Sequence, residues 1–284
     1  MTVTMASRFR ALLAEPGVIV APGVYDGISL RMTETTGFSA GYLTGGGASV
    51  SAFGLPDFGL MTMTETVLHA QRMTATSTIP LICDADTGYG GPANVRRTVM
   101  ELERAGVAGF HIEDQLLPKR CGFLPNKTLI PADEFTKVLK VALDARQDPD
   151  LVIIARTDAR AVEGLDAAID RANRYHEAGA DMVFIEALET PEDLEAIAAR
   201  VEAPRAINMI GSSPAPILTA DELTELGFSL AIYPLVAAST AAEAIRVALE
   251  RLRDEGDDRC IEGLLSPYDL HRFFGLDDWA ALGS

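Results

Sequence analysis

Short apolar runs rich in β-branched residues recur along the chain, and amphipathic stretches with helical spacing separate most of them. Most of these amphipathic stretches end at a glycine, as helices commonly do. The pattern predicts eight strands that alternate with helices. The predicted strands are residues 18–22, 41–44, 80–86, 109–114, 151–158, 182–187, 205–209 and 230–235, and the clearest helices are 92–105, 132–145, 164–178, 191–200 and 220–226.

The predicted strands are continuously apolar, which is typical of strands buried on both faces of a parallel sheet. Eight such βα units in about 250 residues match a (β/α)₈ TIM barrel. A doubly wound open sheet is the second possibility. Its glycine-rich turn is missing after the first strand, where the chain reads PGVYD at 22–26. No linker composition divides the chain, so we expect a single barrel domain over residues 1–284.

The C-terminal segment, residues 236–284, carries more apolar side chains than a free tail can expose to water. They include Leu264, Leu270, Phe273, Phe274 and Trp279. We therefore expect this helical segment to pack on a neighbouring subunit.

Charge and cysteine content narrow the function classes. The chain has 24 Lys and Arg against 41 Asp and Glu, a net charge of −17, which disfavours nucleic acid and anionic membrane surfaces as partners. Three widely separated cysteines favour a reducing cytoplasm over a disulfide framework. The N-terminal stretch has two arginines inside its apolar part, so we expect neither a signal peptide nor a membrane span there.

Polar residues interrupt the apolar runs at nearly every predicted strand end, where a barrel carries its active site. Because side chains alternate along a strand, Asp84 and Asp86 are expected on one face, as are His111 with Glu113 and Arg156 with Asp158. The strand-end residues are Asp26, Thr44, Asp84, Asp86, His111, Glu113, Asp114, Arg156, Asp158, Glu186, Asn208 and Tyr233.

Asp84, Asp86 and Glu113, joined by Asp57 from a preceding loop, form an oxygen-only ligand set that favours Mg²⁺ or Mn²⁺ over zinc. Some of these carboxylates could instead cap helices or pair with Arg156. A buried arginine requires a partner, which would be a structural carboxylate or the carboxylate of an anionic substrate.

A loop after the fourth strand, residues 118–127, is called the lid below. It holds three basic residues and Cys121, and this local positive charge could attract an anionic substrate and favour a thiolate. Gly122 would let the loop bend over the site. The alternative is an exposed, solvated loop with an incidental cysteine.

Four segments, taken together, resemble the isocitrate lyase and phosphoenolpyruvate mutase superfamily, especially its methylisocitrate lyase, dimethylmalate lyase and carboxyphosphonoenolpyruvate mutase branch. They are DADTGYG at 84–90, HIEDQ at 111–115, KRCG at 119–122 and IARTDA at 154–159. The resemblance implies a (β/α)₈ barrel whose C-terminal helices are exchanged between subunits, usually in homotetramers.

The resemblance also implies roles for individual residues. Thr44, Gly45 and Gly46 would hold a pyruvate-like unit, Arg156 would clamp the substrate, and Cys121 would be the acid. Asp57, Asp84, Asp86 and Glu113 would surround Mg²⁺. The remaining expected site residues are Tyr42 and Lys119 for catalysis, and His111, Gly122, Phe123, Glu186 and Asn208 for substrate binding.

Two positions depart from the lyase pattern. Phe123 stands where the family usually has histidine, and MIGSSP follows Asn208 where lyases often have a glutamate. Both changes remove polar groups from the region that would hold the non-pyruvate half of the substrate. We therefore expect a preference for an alkylmalate over a tricarboxylate. The opposite outcome follows if Phe123 points away and Ser212 or Ser213 supplies the contacts.

The predicted function is a Mg²⁺-dependent carbon–carbon lyase that cleaves a 2-hydroxy di- or tricarboxylate, of the methylisocitrate or alkylmalate type, to pyruvate or a related 2-oxo acid. Tyr42 is the candidate base. A phosphonomutase, a phosphonopyruvate hydrolase or an oxaloacetate hydrolase on the same scaffold is the alternative. A binding protein that has lost turnover is a hypothesis of another class.

Overall fold

The computed structural model describes residues 3–211 and 216–282, and its centre is a closed barrel of eight parallel strands. All eight predicted strands are confirmed, with ends that differ by a few residues. The predicted TIM barrel is therefore correct. The strands are β1 Ile19–Val24, β2 Gly41–Leu43, β3 Leu81–Asp84, β4 Gly109–Glu113, β5 Val152–Thr157, β6 Met182–Ile185, β7 Arg205–Asn208 and β8 Leu230–Tyr233.

Each strand pairs in parallel with its neighbours in sequence, and β1 also pairs with β8. The closing register sets Ile19 opposite Leu230 and Pro22 opposite Tyr233. Because all eight strands run the same way, their carboxyl ends surround one mouth of the barrel.

Helices follow the strands around the outside of the barrel, and local capping explains several of their ends. Thr190 and Asp193 form a capping box before α9, for example, and Pro191 occupies its first turn. The helices of the barrel are α1 Met5–Ala14, α2 Gly27–Thr35, α3 Gly45–Phe53, α4 Met63–Thr74, α5 Pro92–Arg104, α6 Ala132–Ala145, α7 Ala159–Val162, α8 Leu165–Glu177, α9 Pro191–Arg200 and α10 Ala220–Glu225.

The end of the barrel opposite the mouth is closed by apolar packing. Phe9 of α1 is fully buried and clusters with Ile19, Val152 and Met182, which lie at or near the starts of their strands. Two further clusters fill the space between the strands and the surrounding helices. The mouth is therefore the end that carries polar side chains.

The chain divides into two compact units, residues 1–236 and 237–284. Helix α11, Val236–Glu255, starts at this boundary, and α12 Pro267–Phe273 and α13 Leu276–Ala281 follow it. Within the described residues, none of these three helices has a buried side chain, and Trp279 is 73% exposed. The packing of this segment on a neighbouring subunit remains a prediction. Across residues 3–211 and 216–282, no helix is both long enough and apolar enough to span a bilayer.

Candidate active site

The floor of the barrel mouth is a group of carboxylates around one buried ammonium group. Lys119 Nζ lies 2.7 Å from Asp57 Oδ1 and 2.6 Å from Asp86 Oδ1. Burial works to lower the pKa of Lys119, but Asp86, Glu113, Asp84 and Asp57 together raise it well above the usual value. All four carboxylates predicted for the metal therefore face the same lysine.

Asp86 reaches this group by a different path from the one predicted. Strand β3 ends at Asp84, and Asp86 lies in the following turn with a φ of 47°, so the two do not share a strand face. The Asp86 amide donates to Asp84 Oδ1 at 3.0 Å. His111 and Glu113, in contrast, are two residues apart on β4, as predicted.

The two aspartates differ in proton affinity. Burial raises the pKa of Asp86 to about 6, despite the opposing effect of Lys119. Burial also acts on Asp84, but His111, Lys119 and Arg156 lower its pKa to about 2. Asp84 is therefore the firmly ionised member of the pair.

The donor set fits a hard divalent cation. Its ligand atoms are all oxygens, and Glu113 Oε1 is buried without a hydrogen-bond partner in residues 3–211 and 216–282. At the described part of the mouth, three cations, Lys119, Lys127 and Arg156, face six carboxylates, so an anionic substrate would meet excess negative charge without added positive charge. Within residues 3–211 and 216–282, however, no three His, Cys, Asp or Glu side chains are close enough together to ligate one ion.

Arg156 at the end of β5 pairs with three carboxylates. Its Nε lies 3.0 Å from Asp158 Oδ2 and 3.2 Å from Glu113 Oε2, and its Nη1 lies 3.5 Å from Glu186 Oε2. The structural partner foreseen for this arginine is therefore present. Arg156 also lines the cavity at the mouth of the barrel.

The N-terminus of α3 borders the same cavity. Thr44 caps this helix by accepting from the Gly47 amide at 3.2 Å. A Cβ on Gly45 would lie 2.7 Å from Asp84 Oδ2, so this position requires glycine. Free amides at a helix N-terminus favour an anionic group, which agrees with the carboxylate-binding role predicted for residues 44–46.

Tyr42 and His111 form a buried pair beneath the cavity. The Tyr42 hydroxyl lies 2.8 Å from His111 Nε2 and donates to Asp84 Oδ2 at 3.4 Å. Burial and the Asp84 carboxylate raise the pKa of Tyr42 well above 10. Burial lowers the pKa of His111 to about 4, so its ring is neutral at pH 7. Tyr42 is therefore a neutral phenol, which can act as a base only if it passes on its own proton.

The prediction of a Cys121 thiolate is wrong. Burial and the nearby Asp57 carboxylate raise the pKa of this thiol to about 11. The basic residues of the lid have other partners, since Lys119 pairs with Asp57, Lys127 with Asp158, and Arg120 stacks over Phe58. The lid therefore presents a protonated thiol to the site.

The lid lies closed over the arginine. A Cβ on Gly122 would approach Glu186 Cγ to 2.6 Å and Arg156 Nη2 to 2.7 Å, so a larger residue would keep the lid from closing. The cavity beneath it is lined by Tyr42, Thr44, Gly46, Asp57, Asp84, Cys121, Gly122, Phe123, Arg156, Glu186, Asn208, Ile210, Pro234 and Leu235.

One side of this cavity is apolar. Phe123, Ile210, Pro234 and Leu235 supply it, and we call these four residues the rim. Beside the rim, Asn208 Nδ2 donates to Glu186 Oε2 at 3.2 Å, and Asn208 Oδ1 is buried with no hydrogen-bond partner among the described residues. Ser212 and Ser213, the alternative polar contacts, lie outside the described residues.

Sequence reasoning misassigned three strand-end residues, Asp26, Asp114 and Tyr233, and missed two contacts. Asp114 accepts hydrogen bonds from Arg171 and Tyr175 of α8, and Tyr233 packs between the strands and the outer helices. Asp26 caps α2 by accepting from the Ser29 amide at 2.7 Å. Lys127 and Gln115 were not singled out, although both bind the lid backbone. The sequence places Lys127 in a polar loop and gives no sign that its side chain is buried. Gln115 could have been found, because it directly follows the HIED segment.

Comparisons with known proteins agree with the resemblance. The family model described as phosphoenolpyruvate phosphomutase matches residues 9–253. A 2-methylisocitrate lyase of Shewanella oneidensis is 39% identical over 276 residues, covering 97% of this chain and 94% of the relative. A 2,3-dimethylmalate lyase of Eubacterium barkeri is 41% identical over 240 residues, covering 84% of this chain and 83% of the relative.

Solved structures of related enzymes superpose on nearly the whole of this chain. A crystal structure of 2,3-dimethylmalate lyase superposes with a TM-score of 0.93 at 38% identity, covering 99% of this chain and 95% of that one. Oxaloacetate acetylhydrolase in complex with 3,3-difluorooxalacetate also gives 0.93, at 36% identity, covering 98% and 96%.

Proposed function

The chain belongs to the phosphoenolpyruvate mutase and isocitrate lyase superfamily and is a carbon–carbon lyase of it, and from this premise we propose its substrate class. The proposed substrate is a 2-hydroxy dicarboxylate with an alkyl group on C3, such as a 2,3-dialkylmalate. Cleavage would yield a 2-oxo acid and a second carboxylic acid. The apolar rim beside Arg156 is the observation that carries this proposal.

The rim favours an alkyl group over a third carboxylate for electrostatic reasons. A carboxylate desolvated without a partner against Ile210 and partly against Phe123, which is 42% exposed, costs up to several kcal/mol, and about 3 kcal/mol already corresponds to roughly a hundredfold in specificity. A methyl group at the same place would gain about 1 kcal/mol from burial. Glu186 beside the rim would add repulsion toward a third carboxylate.

Binding of the pyruvate-forming half would use the α3 N-terminus and the carboxylate floor. Asp57, Asp84, Asp86 and Glu113 would hold Mg²⁺ or Mn²⁺, which when bound polarises the 2-oxygen and offsets charge that develops there. The amides that follow Thr44 would accept the adjacent carboxylate.

Proton removal from the 2-hydroxyl is assigned to Tyr42. Because its own proton is retained at neutral pH, the phenol must hand it to His111 Nε2, 2.8 Å away. The C2–C3 bond then breaks, C2 becomes a carbonyl, and the bonding electron pair moves into the carboxyl group next to C3. Arg156 would stabilise the resulting dianionic enolate of that carboxylate.

Cys121 would donate the proton that C3 requires. Its raised pKa of about 11 keeps the sulfur protonated at pH 7, as a general acid must be. Its place in the wall of the cavity, beside Gly122 and Phe123, brings it to the rim side where C3 would lie. The proton moves from sulfur to carbon and completes the second carboxylic acid.

The test is a panel of candidate substrates followed by 2-oxo acid release, with and without EDTA and added Mg²⁺. The proposal predicts that 2,3-dimethylmalate gives pyruvate and propionate in equal amounts and only with metal. Turnover of oxaloacetate to oxalate and acetate, or of phosphonopyruvate to pyruvate and phosphate, without dialkylmalate cleavage would overturn it. Absence of turnover on every compound would favour a binding protein.

Assembly into a homotetramer is also proposed, with residues 237–284 packed on a neighbouring subunit. The lack of buried side chains in α11, α12 and α13, within the described residues, supports this assembly. Light scattering coupled to gel filtration would give four times the 30.3 kDa chain mass if the proposal is right, and one chain mass if it is wrong.

A further inference from the structure

The lid is attached to the barrel by a short hydrogen-bonded stem. Gln115 and Leu129 form an antiparallel bridge, and the Leu116 amide donates to the Thr128 carbonyl at 2.7 Å. The Ile130 amide donates to the Asp114 carbonyl at 3.0 Å. These bonds fix both ends of the lid, so motion of its middle part leaves the stem in place.

Lys127 is the last residue of the lid and stands directly beside this stem. Its side chain is 2% exposed, and its Nζ donates to the Gly122 carbonyl at 2.5 Å and to Asp158 Oδ1 at 2.7 Å. Gly122 lies in the middle of the lid, whereas Asp158 follows β5. One buried ammonium group therefore ties the moving part of the lid to the rigid barrel.

The same aspartate also holds the arginine of the site. Asp158 Oδ2 accepts from Arg156 Nε at 3.0 Å, and Asp158 Oδ1 accepts from Arg156 Nη2 at 3.2 Å. Asp158 itself is held by the barrel, because its amide donates to Oδ1 of Asp114, which follows β4, at 3.1 Å. The closed lid and Arg156 thus share this carboxylate, in addition to the Lys119 pairs and the Gln115 contacts that also hold the lid.

We propose that Lys127 is a positioning residue that latches the lid closed through the Gly122 carbonyl and couples closure to Arg156 through Asp158. A buried ammonium is costly unless it is fully paired, and both of its partners here are in place only while the lid is closed. Opening removes the Gly122 contact, so the latch favours the state in which Cys121 faces the cavity. Only the turnover part of the test rests on the proposed function.

Alkylation of Cys121 by iodoacetamide at pH 8 measures lid opening without any substrate. Opening exposes the thiol to the reagent, so its reactivity rises. Lys127→Met keeps an unbranched side chain of similar length and removes the ammonium donor. We expect Cys121 to be modified at least tenfold faster in this variant, as measured by peptide mass spectrometry. Lys140→Met, on the exposed face of α6, is the matched control and should alkylate at the wild-type rate.

Gly122→Ala provides the reference for a lid that cannot close, because its Cβ would overlap Glu186 and Arg156. Lys127→Met should approach the rate of this variant. The latch is overturned if Gly122→Ala alkylates fast while Lys127→Met reacts like the wild type. Lys127→Gln keeps one amide donor, so its alkylation rate should lie between those of the wild type and Lys127→Met. Should Lys127→Met not fold, a wild-type rate for Lys127→Gln overturns the latch.

Turnover of 2,3-dimethylmalate supplies the second readout. Loss of the latch should lower kcat at least tenfold, and Lys127→Arg, which restores a cationic donor, should recover part of that rate. A failure of the proposed function would leave no turnover in any variant but the same alkylation ranking. A failure of the latch would leave the alkylation rates and kcat of Lys127→Met at wild-type values.

Discussion

The floor and the rim of the cavity are built by opposite principles. The floor consists of buried carboxylates around Lys119, held on strand ends and turns that the barrel fixes. The rim consists of Phe123 on the lid, Ile210 on the loop after β7, and Pro234 and Leu235 after β8. A floor of this kind determines which bond of the substrate is broken. The rim determines which substituent on C3 of the substrate is accepted. Variants of the two regions should therefore fail in different ways.

The largest effect is expected from removing charge at the floor. Asp86→Ala should lose affinity for Mn²⁺, measured by calorimetry, and lose turnover on the order of 10³-fold or more, since a bound cation contributes several kcal/mol at the transition state. The Lys119 to Asp57 pair remains, so the barrel should stay folded. Asp170→Ala, on the exposed side of α8, is the control. Near-normal affinity for the metal in Asp86→Ala would contradict the floor assignment.

A smaller loss is expected at the lid. Cys121→Ser should bind metal and substrate but turn over on the order of 10²-fold more slowly, because general acid catalysis contributes about that much. The measurement is kcat together with KM, and Cys260→Ser is the matched control for loss of a thiol. A fully active Cys121→Ser enzyme would mean that the sulfur only packs.

The sequence predicts the floor well because strand alternation is a local rule. Glu113 on β4 needs only the position of the strand to be placed at the mouth beside His111. The position of the strand is not enough to place Asp86, because this residue lies in a turn with positive φ that the apolar run does not reveal. Its residue type still indicated a place among the carboxylates around Lys119, even though the predicted path to that place was wrong.

The lid shows where such reasoning stops. Its basic residues predicted a thiolate, but each cation is paired with a group that is distant in sequence, as Lys127 is with Asp158. Charge partners of this kind depend on the folded arrangement of several loops. The same limit explains why the burial of Lys127 and the Gln115 contact with the Arg120 backbone were not foreseen.

The pH dependence of Cys121 reactivity tests how far the floor influences the lid. A thiol whose pKa is raised keeps its proton to higher pH, so alkylation should keep rising to about pH 11. At pH 9 the wild type should react roughly 50-fold more slowly than an unperturbed thiol, since each pKa unit is a factor of ten. Asp57→Asn should move the profile to lower pH. A profile that levels off near pH 8 to 9 in the wild type would show that Asp57 and burial do not act on the sulfur.

The smallest predicted effect concerns the rim alone. Phe123→His should improve the use of 2-methylisocitrate relative to 2,3-dimethylmalate by roughly tenfold, because one added hydrogen bond to a charged group is worth about 1.5 kcal/mol or more. Metal affinity should not change. Competition between the two substrates in one reaction, followed by the succinate and propionate formed, gives the ratio directly. An unchanged ratio would remove Phe123 as the cause of selectivity.

The most direct measurement is kcat/KM for 2,3-dimethylmalate and for 2-methylisocitrate on one preparation of the wild-type enzyme, at saturating Mg²⁺. The two compounds share the pyruvate-forming half and differ at C3, where one carries a methyl group and the other a carboxymethyl group. An apolar rim predicts a preference for dimethylmalate of roughly tenfold to a hundredfold. Equal values, or a preference for methylisocitrate, would contradict the assignment of substrate class to the rim.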